Sequence, residues 1–374
     1  MRNTFIVVFG FLFMLSLIFF AAASESAASS TKDWEIKWEK LVEAAKGEGK
    51  VMVYGRGDPN LRKAMREAFK GKYGIELEFV YFARGGEMAS KLKKERSAGL
   101  FLADIIIHGP TTMTYMLKPA GILEKMEPVF VRPEFSDPNL WLPGYYFMDK
   151  DRMMKPLAAH FNTFIIRNTN LTKKGEINSL EDLIDPKWKG KIVMGDPTRP
   201  GSASGMLSWL EGIWGFEKTE RFLRQLVKQE PVISRQVRVP VEWLARGKYT
   251  IGIAMRAESL PEFYNLGSPI AAVRPIEGCY LTPGSGIVAI ANKRPHPNAA
   301  AVFINWLLSR EGQITWSKAD GFASARVDVP SDDWVHIFFK RTPGEKVFVE
   351  DEEVINKRAK LMKLAKQLFG PLLK

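Results

Sequence analysis

In the first third of the chain, short continuous runs of hydrophobic residues alternate with segments in which hydrophobic residues recur every three or four positions. Short apolar runs, such as KVMVY at residues 50–54, have the length and composition of buried strands. Each run ends in a glycine-containing break, and the segment after the break carries apolar residues every three or four positions, as an amphipathic helix does. This unit occurs three times, with breaks at residues 55–59, 84–86 and 108–111. The order predicts a doubly wound α/β unit with a parallel sheet.

The second half of the chain repeats this order of elements. Residues 160–167, 192–195 and 250–255 are predicted to form strands, and the second of them is followed by the turn sequence DPTRPGS. The third predicted strand ends at Arg256. Because ligands of doubly wound sheets bind at the carboxyl ends of the strands, we expect the breaks in both halves to form the ligand site. The tail at residues 351–369 predicts a helix whose apolar stripe packs on its own domain.

The N-terminus has the pattern of a secretory signal peptide. One positive charge at Arg2 precedes an apolar run at residues 5–20 and the small-residue stretch AAAS at residues 21–24. The alternative is an uncleaved membrane anchor, but the polar sequence at residues 25–33 favours cleavage after about Ala23. No later segment has the ~18 consecutive apolar residues of a membrane span. We therefore expect residues 1–24 to be removed and the mature chain to diffuse freely in the periplasm.

Composition narrows the class of partner. The chain has 374 residues, of which 46% are hydrophobic and 26% charged, and this size predicts two domains with separate cores. The formal net charge is +12, but lysine and arginine are dispersed without an arginine-rich tract. We interpret the charge as a bias towards anionic ligands or surfaces and expect no nucleic-acid partner. The single cysteine, Cys279, excludes an intrachain disulfide.

Five segments together carry a resemblance to a known family. Their order along the chain is KVMVYGRGDPNLRKAMREAFKGKYGIELEF, LADIIIHGPTTM, AAHFNTFIIRN, SLEDLIDPKWKGKIVMGDP and GSGIVAIANKRPHPNAAAVFINWLLSREGQ. The chain resembles the type II periplasmic solute-binding proteins of ABC importers, in the branch that includes ferric-ion, polyamine, phosphonate and hexose-phosphate binders. The resemblance implies two α/β lobes joined by crossing strands, with the solute bound between them. It also implies a monomer that delivers its solute to an inner-membrane ABC permease.

The resemblance also implies where the lobes divide. Lobe one is expected to comprise residues 25–157 and 274–330, and lobe two residues 158–273. Residues 331–374 are expected to form a C-terminal extension whose amphipathic helix packs on a lobe.

Arginines recur where the predicted strands end, and the resemblance places one further arginine near the cleft. A guanidinium offers a fork of donors that matches carboxylate or phosphate oxygens. Glycine beside it lets main-chain N–H groups approach the same anion, and the helix that follows contributes a favourable partial charge. A tyrosine and a histidine stand at strand ends in the same loops, and a serine hydroxyl faces from the other lobe. The predicted ligand-binding residues are Tyr54, Arg56, Arg84, Gly85, His108, Arg199, Ser202, Arg235 and Arg256.

Ferric ion and polyamines fit these loops poorly. Ferric binders of this branch use an adjacent tyrosine pair in lobe two, but the matching stretch here begins at Arg256 and contains none. The only adjacent tyrosines, Tyr145 and Tyr146, precede the interlobe crossing. The leading hypothesis is capture of a small anionic organic solute or a phosphate or phosphonate ester. A ferric or metal-complex binder of the same family, with an anion held by the arginines, is the first alternative.

A periplasmic enzyme on the same scaffold is the more remote alternative. None of the four histidines is spaced as a zinc pair, and no G-x-S-x-G elbow or phosphate-binding G-x-x-x-x-G-K-[ST] loop is present. We expect no catalytic residue, no metal and no cofactor.

Overall fold

The structure is a computed structural model that describes residues 33–255, 259–331 and 333–373. The predicted signal peptide at residues 1–24 and the predicted site residue Arg256 lie outside the described residues. Within these ranges, no helix has both the length and the apolar composition needed to cross a bilayer.

The first lobe contains the elements α1 (residues 33–48), β1 (Lys50–Gly55), α2 (Pro59–Tyr73), β2 (Glu76–Tyr81), α3 (Gly85–Ser97), β3 (Ile105–His108), α4 (Pro110–Thr112, continued by a π-helical turn over Met113–Leu117), β4 (Leu123–Glu124), β5 (Lys155–Pro156), β13 (Ile287–Ala291), α8 (Pro297–Leu308) and α9 (Arg310–Asp320). Its strands form a sheet of order β2-β1-β3-β13-β4, and β5 also pairs with β13. Strands β1, β2 and β3 are parallel, whereas β13 runs antiparallel to β3.

Local sequence signals explain the ends of the helix that follows the first break. The Asp58 carboxylate accepts hydrogen bonds from the main-chain N–H groups of Asn60 (2.7 Å) and Leu61 (3.0 Å), and Pro59 occupies the first helical position of α2. Gly74 ends the helix with a φ of 72°, a left-handed conformation that glycine adopts without steric cost. The break at residues 55–59 is therefore held rigidly between strand and helix.

The second lobe contains the elements β7 (Ile165–Asn168), β8 (Ile192–Gly195), α5 (Ser202–Lys228), β9 (Val232–Ser234), α6 (Val239–Ala245), β10 (Ile251–Ile253), α7 (Leu260–Asn265) and β11 (Ile270–Ala272). Its strands form a sheet of order β11-β7-β10-β8-β9. Strands β8, β9 and β10 are parallel, and β7 runs antiparallel to β10 and β11.

Two antiparallel strands connect the lobes. These are β6 (Ala158–Asn162) and β12 (Cys279–Thr282), in a sheet of order β14-β6-β12-β15 whose outer strands are β14 (Ala323–Ser324) and β15 (Val347–Val349). The chain crosses from the first lobe to the second through β6 and returns through β12. Two α/β lobes joined by crossing strands confirm the predicted fold class.

The predicted single strand at residues 160–167 is wrong, because the structure divides it into β6 and β7. The two strands belong to different sheets, and the chain turns between them at Phe164, which has a φ of 60°. The Asn162 side chain accepts a hydrogen bond from the Phe164 N–H at 2.7 Å and so stabilises the turn. A residue of this size rarely adopts a positive φ, and the local sign of the turn is the polar pair Asn162 and Thr163 directly before it.

The tail helix α10 (Glu352–Phe369) begins at the Asp351 cap, whose carboxylate accepts a hydrogen bond from the Val354 N–H at 2.8 Å. Its apolar stripe packs on α5 of the second lobe, where Leu361 and Phe369 are fully buried. Ile355, near its start, is buried in the core between β3 and α4 of the first lobe. The helix therefore contacts both lobes.

A buried lysine makes the stability of the first lobe depend on pH. Lys155 is fully buried, with its ammonium 3.6 Å from the centre of the Trp141 ring and 4.2 Å from that of Tyr146. Burial lowers its pKa to about 6, and the charge of Arg326 acts in the same direction. Because the unfolded chain keeps this proton up to a pH of about 10.4, the lysine disfavours the folded state most at low pH, and stability should rise between pH 6 and 10.

We expect Lys155→Met to raise the free energy of unfolding by about 1–2 kcal/mol at pH 7, because on folding the native lysine must release the proton that it keeps in the unfolded chain at this pH. The gain should shrink as the pH approaches 10. Urea unfolding at pH 5.5, 7 and 9 measures it, with the exposed Lys150→Met as the matched control. An identical gain at all three pH values would contradict a neutral lysine.

Candidate ligand-binding cleft

The loops after β1, the segment before α3 and the loop after β3 converge at one edge of the first sheet. The Arg56 N–H donates to the Ile107 carbonyl at 3.0 Å, which holds the first loop against the end of β3. A Cβ on Gly85 would lie 1.9 Å from Oγ1 of Thr112 and 2.9 Å from Cε1 of His108. Only glycine fits at such a close approach. The structure therefore brings Arg56, Gly85 and His108 together.

The side chains of this edge differ in exposure. Arg84, directly before α3, is 72% exposed, and its guanidinium lies 3.7 Å from the Glu87 carboxylate. His108 is buried, and its Nδ1 accepts a hydrogen bond from the N–H of Gly109 at 2.7 Å. Arg56 is half-buried. Of the predicted residues on this lobe, Arg84 is the one whose charge is most open to a solute.

Tyr54 lies beneath the loops and not on a wall of the cleft. Its side chain is 2% exposed, and its hydroxyl donates to Oε1 of Glu95 at 2.9 Å. Burial and the bond to Glu95 both raise the pKa of Tyr54. This tyrosine belongs to the core between β1 and α3.

The second lobe presents its own strand-end loop between β8 and α5. A Cβ on Gly195 would lie 2.4 Å from the carbonyl oxygen of Ala254, so this loop runs close to the end of β10. Arg199 is exposed in the loop, and Ser202 is the half-buried first residue of α5. The Ser204 hydroxyl accepts a hydrogen bond from the Gly201 N–H at 3.0 Å, which fixes the start of the helix. Arg199 and Ser202 therefore lie together at a helix N-terminus, where an anion is stabilised.

Arg235 is already paired within its lobe. Its Nε donates to Oδ2 of Asp196 at 3.0 Å, and the Asp196 side chain is 5% exposed. Burial alone would raise the pKa of Asp196, but hydrogen bonds from Thr198 and Arg235 lower it below its usual value. The carboxylate thus neutralises much of the charge of Arg235. Sequence reasoning missed this pairing, because nothing in the residues around position 235 points to Asp196.

Sequence reasoning also missed Arg358, on α10. Its side chain is 3% exposed, and it donates to Ser208 of the second lobe (2.9 Å), Thr111 of the first lobe (2.8 Å), Tyr280 of the crossing strand β12 (3.1 Å) and the buried Glu350. Among many basic residues of a helical tail, no sequence signal distinguishes it.

The adjacent tyrosines lie in the core of the first lobe. Tyr145 is fully buried, and the Tyr146 hydroxyl donates to the Phe135 carbonyl at 3.1 Å. Across residues 33–255, 259–331 and 333–373, no group of three or more His, Cys, Asp or Glu side chains is placed to hold a metal ion.

Two lobes with strand-end loops, joined by a pair of crossing strands, define a class of solute-binding protein, and comparison with known proteins agrees. The family described as bacterial extracellular solute-binding protein matches residues 64–343. The chain belongs to this family, whose members are the solute-binding components of ABC importers.

Two relatives match different shares of the chain. An uncharacterized protein of Haemophilus influenzae is 27% identical over 281 residues, which cover 74% of this chain and 78% of that protein. A thiamine-binding periplasmic protein of Brucella abortus is 26% identical over 153 residues, which cover 41% of this chain and 42% of that protein. These relatives are binding proteins or uncharacterized, and the expectation of no enzymatic activity stays a prediction.

Solved structures show the same fold at lower identity. The periplasmic binding protein AfuA of Actinobacillus pleuropneumoniae, with fructose 6-phosphate bound, has a TM-score of 0.67 and 21% identity over 86% of this chain and 99% of its own. The Trichodesmium protein IdiA, or FutA, in complex with iron and citrate, has a TM-score of 0.69 and 18% identity over the same shares. At this identity the likeness establishes the fold and leaves the ligand open.

Proposed function

We propose that the protein captures a small anionic organic solute, or a phosphate or phosphonate ester, in the cleft between its lobes. It would do so in the periplasm, after removal of residues 1–24, and deliver the solute to an inner-membrane ABC permease. The observation that carries the proposal is the same arrangement on both lobes. On each, a helix N-terminus begins at a strand-end loop with an exposed arginine close before it, Arg84 before α3 and Arg199 before α5.

The charge of these groups favours an anion. Main-chain N–H groups at a helix N-terminus carry partial positive charge, and a guanidinium adds a full one with paired donors. In a closed cleft, each charge-assisted hydrogen bond contributes about 1.5–3 kcal/mol, so two or three suffice for micromolar capture at about −8 kcal/mol. The AfuA structure, whose ligand is a sugar phosphate, is consistent with this chemistry on the same fold.

The ferric alternative rests on the iron and citrate of the Trichodesmium structure. In that case the arginines would hold the anion of a metal complex and the anion would hold the metal. The two functions differ in one respect, which is whether binding requires iron.

A thermal-shift screen distinguishes them. We expect fructose 6-phosphate or another phosphate ester to raise the melting temperature without metal, because a ligand at about 100 times its dissociation constant adds about 2.7 kcal/mol of stability. Inorganic phosphate, citrate, ferric citrate and thiamine complete the panel. Stabilisation by ferric citrate but by no metal-free anion would favour the alternative, and stabilisation by thiamine alone would contradict an anion site.

A further inference from the structure

The C-terminal helix α10 is anchored in the second lobe. Leu361, Ala365 and Phe369 are buried against α5 in the core of that lobe, with relative exposures of 0–1%. The Arg358 guanidinium adds a hydrogen bond to the Ser208 hydroxyl on α5 at 2.9 Å. The last three turns of α10 and helix α5 therefore form one packed unit.

The first turns of the same helix contact the first lobe through residues 110–118 and through Met148, whose carbonyl accepts a hydrogen bond from the Glu352 N–H at 3.1 Å. Arg358 donates to Oγ1 of Thr111 at 2.8 Å, the Tyr115 hydroxyl donates to the Ile355 carbonyl, and Lys118 pairs with Glu352. Positions 352, 355 and 358 recur every three residues and so lie on one face of the helix. Residues 110–118 follow the end of β3 at His108, with Gly109 between them.

Arg358 lies where the lobes and the crossing strands meet. Besides its bonds to each lobe, it donates to the Tyr280 hydroxyl on β12 at 3.1 Å and pairs with Glu350, which is 2% exposed. Glu350 also accepts a hydrogen bond from Thr282 at 2.5 Å, at the end of the same strand. A planar guanidinium that uses its donors in four directions holds its partners in one geometry.

We propose that α10 acts as a clasp, which means that it links the two lobes through contacts to each. Arg358 is a positioning residue, which holds the ligand loop after β3 at a defined position relative to the second lobe. The inference rests on the proposed cleft, since a solute that bridges the lobes needs both sets of loops at a defined separation. A clasp that narrows the range of interlobe separations in the free protein reduces the ordering that binding must impose. Affinity for the solute then depends on the contacts between α10 and the two lobes, although none of these contacts involves the solute.

The test removes the hydrogen bonds that Thr111 and Tyr115 make to α10 and leaves the buried ion pair of Arg358 and Glu350 intact. Thr111→Val with Tyr115→Phe removes two hydrogen bonds at nearly constant volume, and Arg358 keeps Glu350. The matched control is Ser208→Ala, which removes a bond from the same guanidinium but within the unit formed by α10 and α5. Spin labels at Lys93→Cys on α3 and Arg246→Cys after α6, both exposed positions, report the interlobe distance by pulsed EPR. The native Cys279 is fully buried.

We expect the double variant to broaden the interlobe distance distribution of the ligand-free protein, while Ser208→Ala leaves it as in the parent. Affinity for fructose 6-phosphate, measured by calorimetry, should fall by about 3–10-fold in the double variant only. Coinciding distributions in all three proteins would overturn the clasp. Weaker binding with an unchanged distribution would also overturn it and place Thr111 among direct ligand contacts. Because the distance is measured without ligand, failure of the proposed function leaves this test intact.

Discussion

Replacing Arg358 by alanine is expected to lower the free energy of unfolding by about 3–5 kcal/mol. The substitution leaves the Glu350 carboxylate, 2% exposed, buried without its cation, and an uncompensated buried charge is among the costliest single changes in a folded protein. It also deprives Ser208, Thr111 and Tyr280 of their common donor. Urea unfolding at pH 7 measures the loss directly.

Two further variants distinguish the loss of the buried ion pair from the effect of removing any arginine side chain. Arg358→Met combined with Glu350→Gln removes both charges, and we expect it to recover much of the lost stability. Arg246→Ala removes an arginine of similar chemistry that is 77% exposed and pairs with Glu242 on the surface of α6, and it should cost less than about 0.5 kcal/mol. A loss in Arg358→Ala no greater than that in Arg246→Ala would show that the buried pair is energetically unimportant.

Alanine at Arg84 or Arg199 is expected to weaken anion binding by about 1.5–3 kcal/mol, roughly 10–150-fold in the dissociation constant. Each arginine anchors the solute to its own lobe. Lysine at either position restores the charge without the paired donors and should recover only part of the affinity. The double variant should lose less than the sum, because release of the anion by one lobe already disfavours closure. Calorimetry with the strongest anion of the thermal-shift panel measures the parent, the two alanine variants, the two lysine variants and the double variant.

Global stability provides the control for this series. Arg84 is 72% exposed and Arg199 is also exposed, so neither substitution should change the unfolding midpoint appreciably. Arg246→Ala again serves as the matched variant, because it removes a surface charge of the second lobe without touching a strand-end loop. If Arg84→Ala and Arg199→Ala bind as tightly as the parent, the arginines are ordinary solvated residues and the anion hypothesis fails.

Local patterns determined the fold class. Nearby residues specify the apolar run III of β3 and the amphipathic helix α2, which begins at the Asp58 cap and ends at Gly74. Strand, break and helix therefore appear in the sequence in the order in which they occur in the structure. The same order predicted that the breaks would converge, since parallel strands end at one edge of a sheet. The break within residues 160–167 was missed although the polar pair Asn162 and Thr163 precedes it. The turn at Phe164 forms because the two halves of the segment join different sheets, and that pairing depends on residues distant in sequence.

The sequence by itself therefore determined the two-lobe class, the family and the loops that meet at the strand ends. It also placed arginine, with its anion-matching donors, in those loops. Only the tertiary structure decided which of these charges are available to bind a solute. Arg235 is paired with Asp196, 39 positions away, Tyr54 is turned towards Glu95, and Arg358 is brought from the tail to both lobes. Residue type fixes what a side chain can donate or accept, but its partner is chosen by contacts distant in sequence, and no local pattern encodes them.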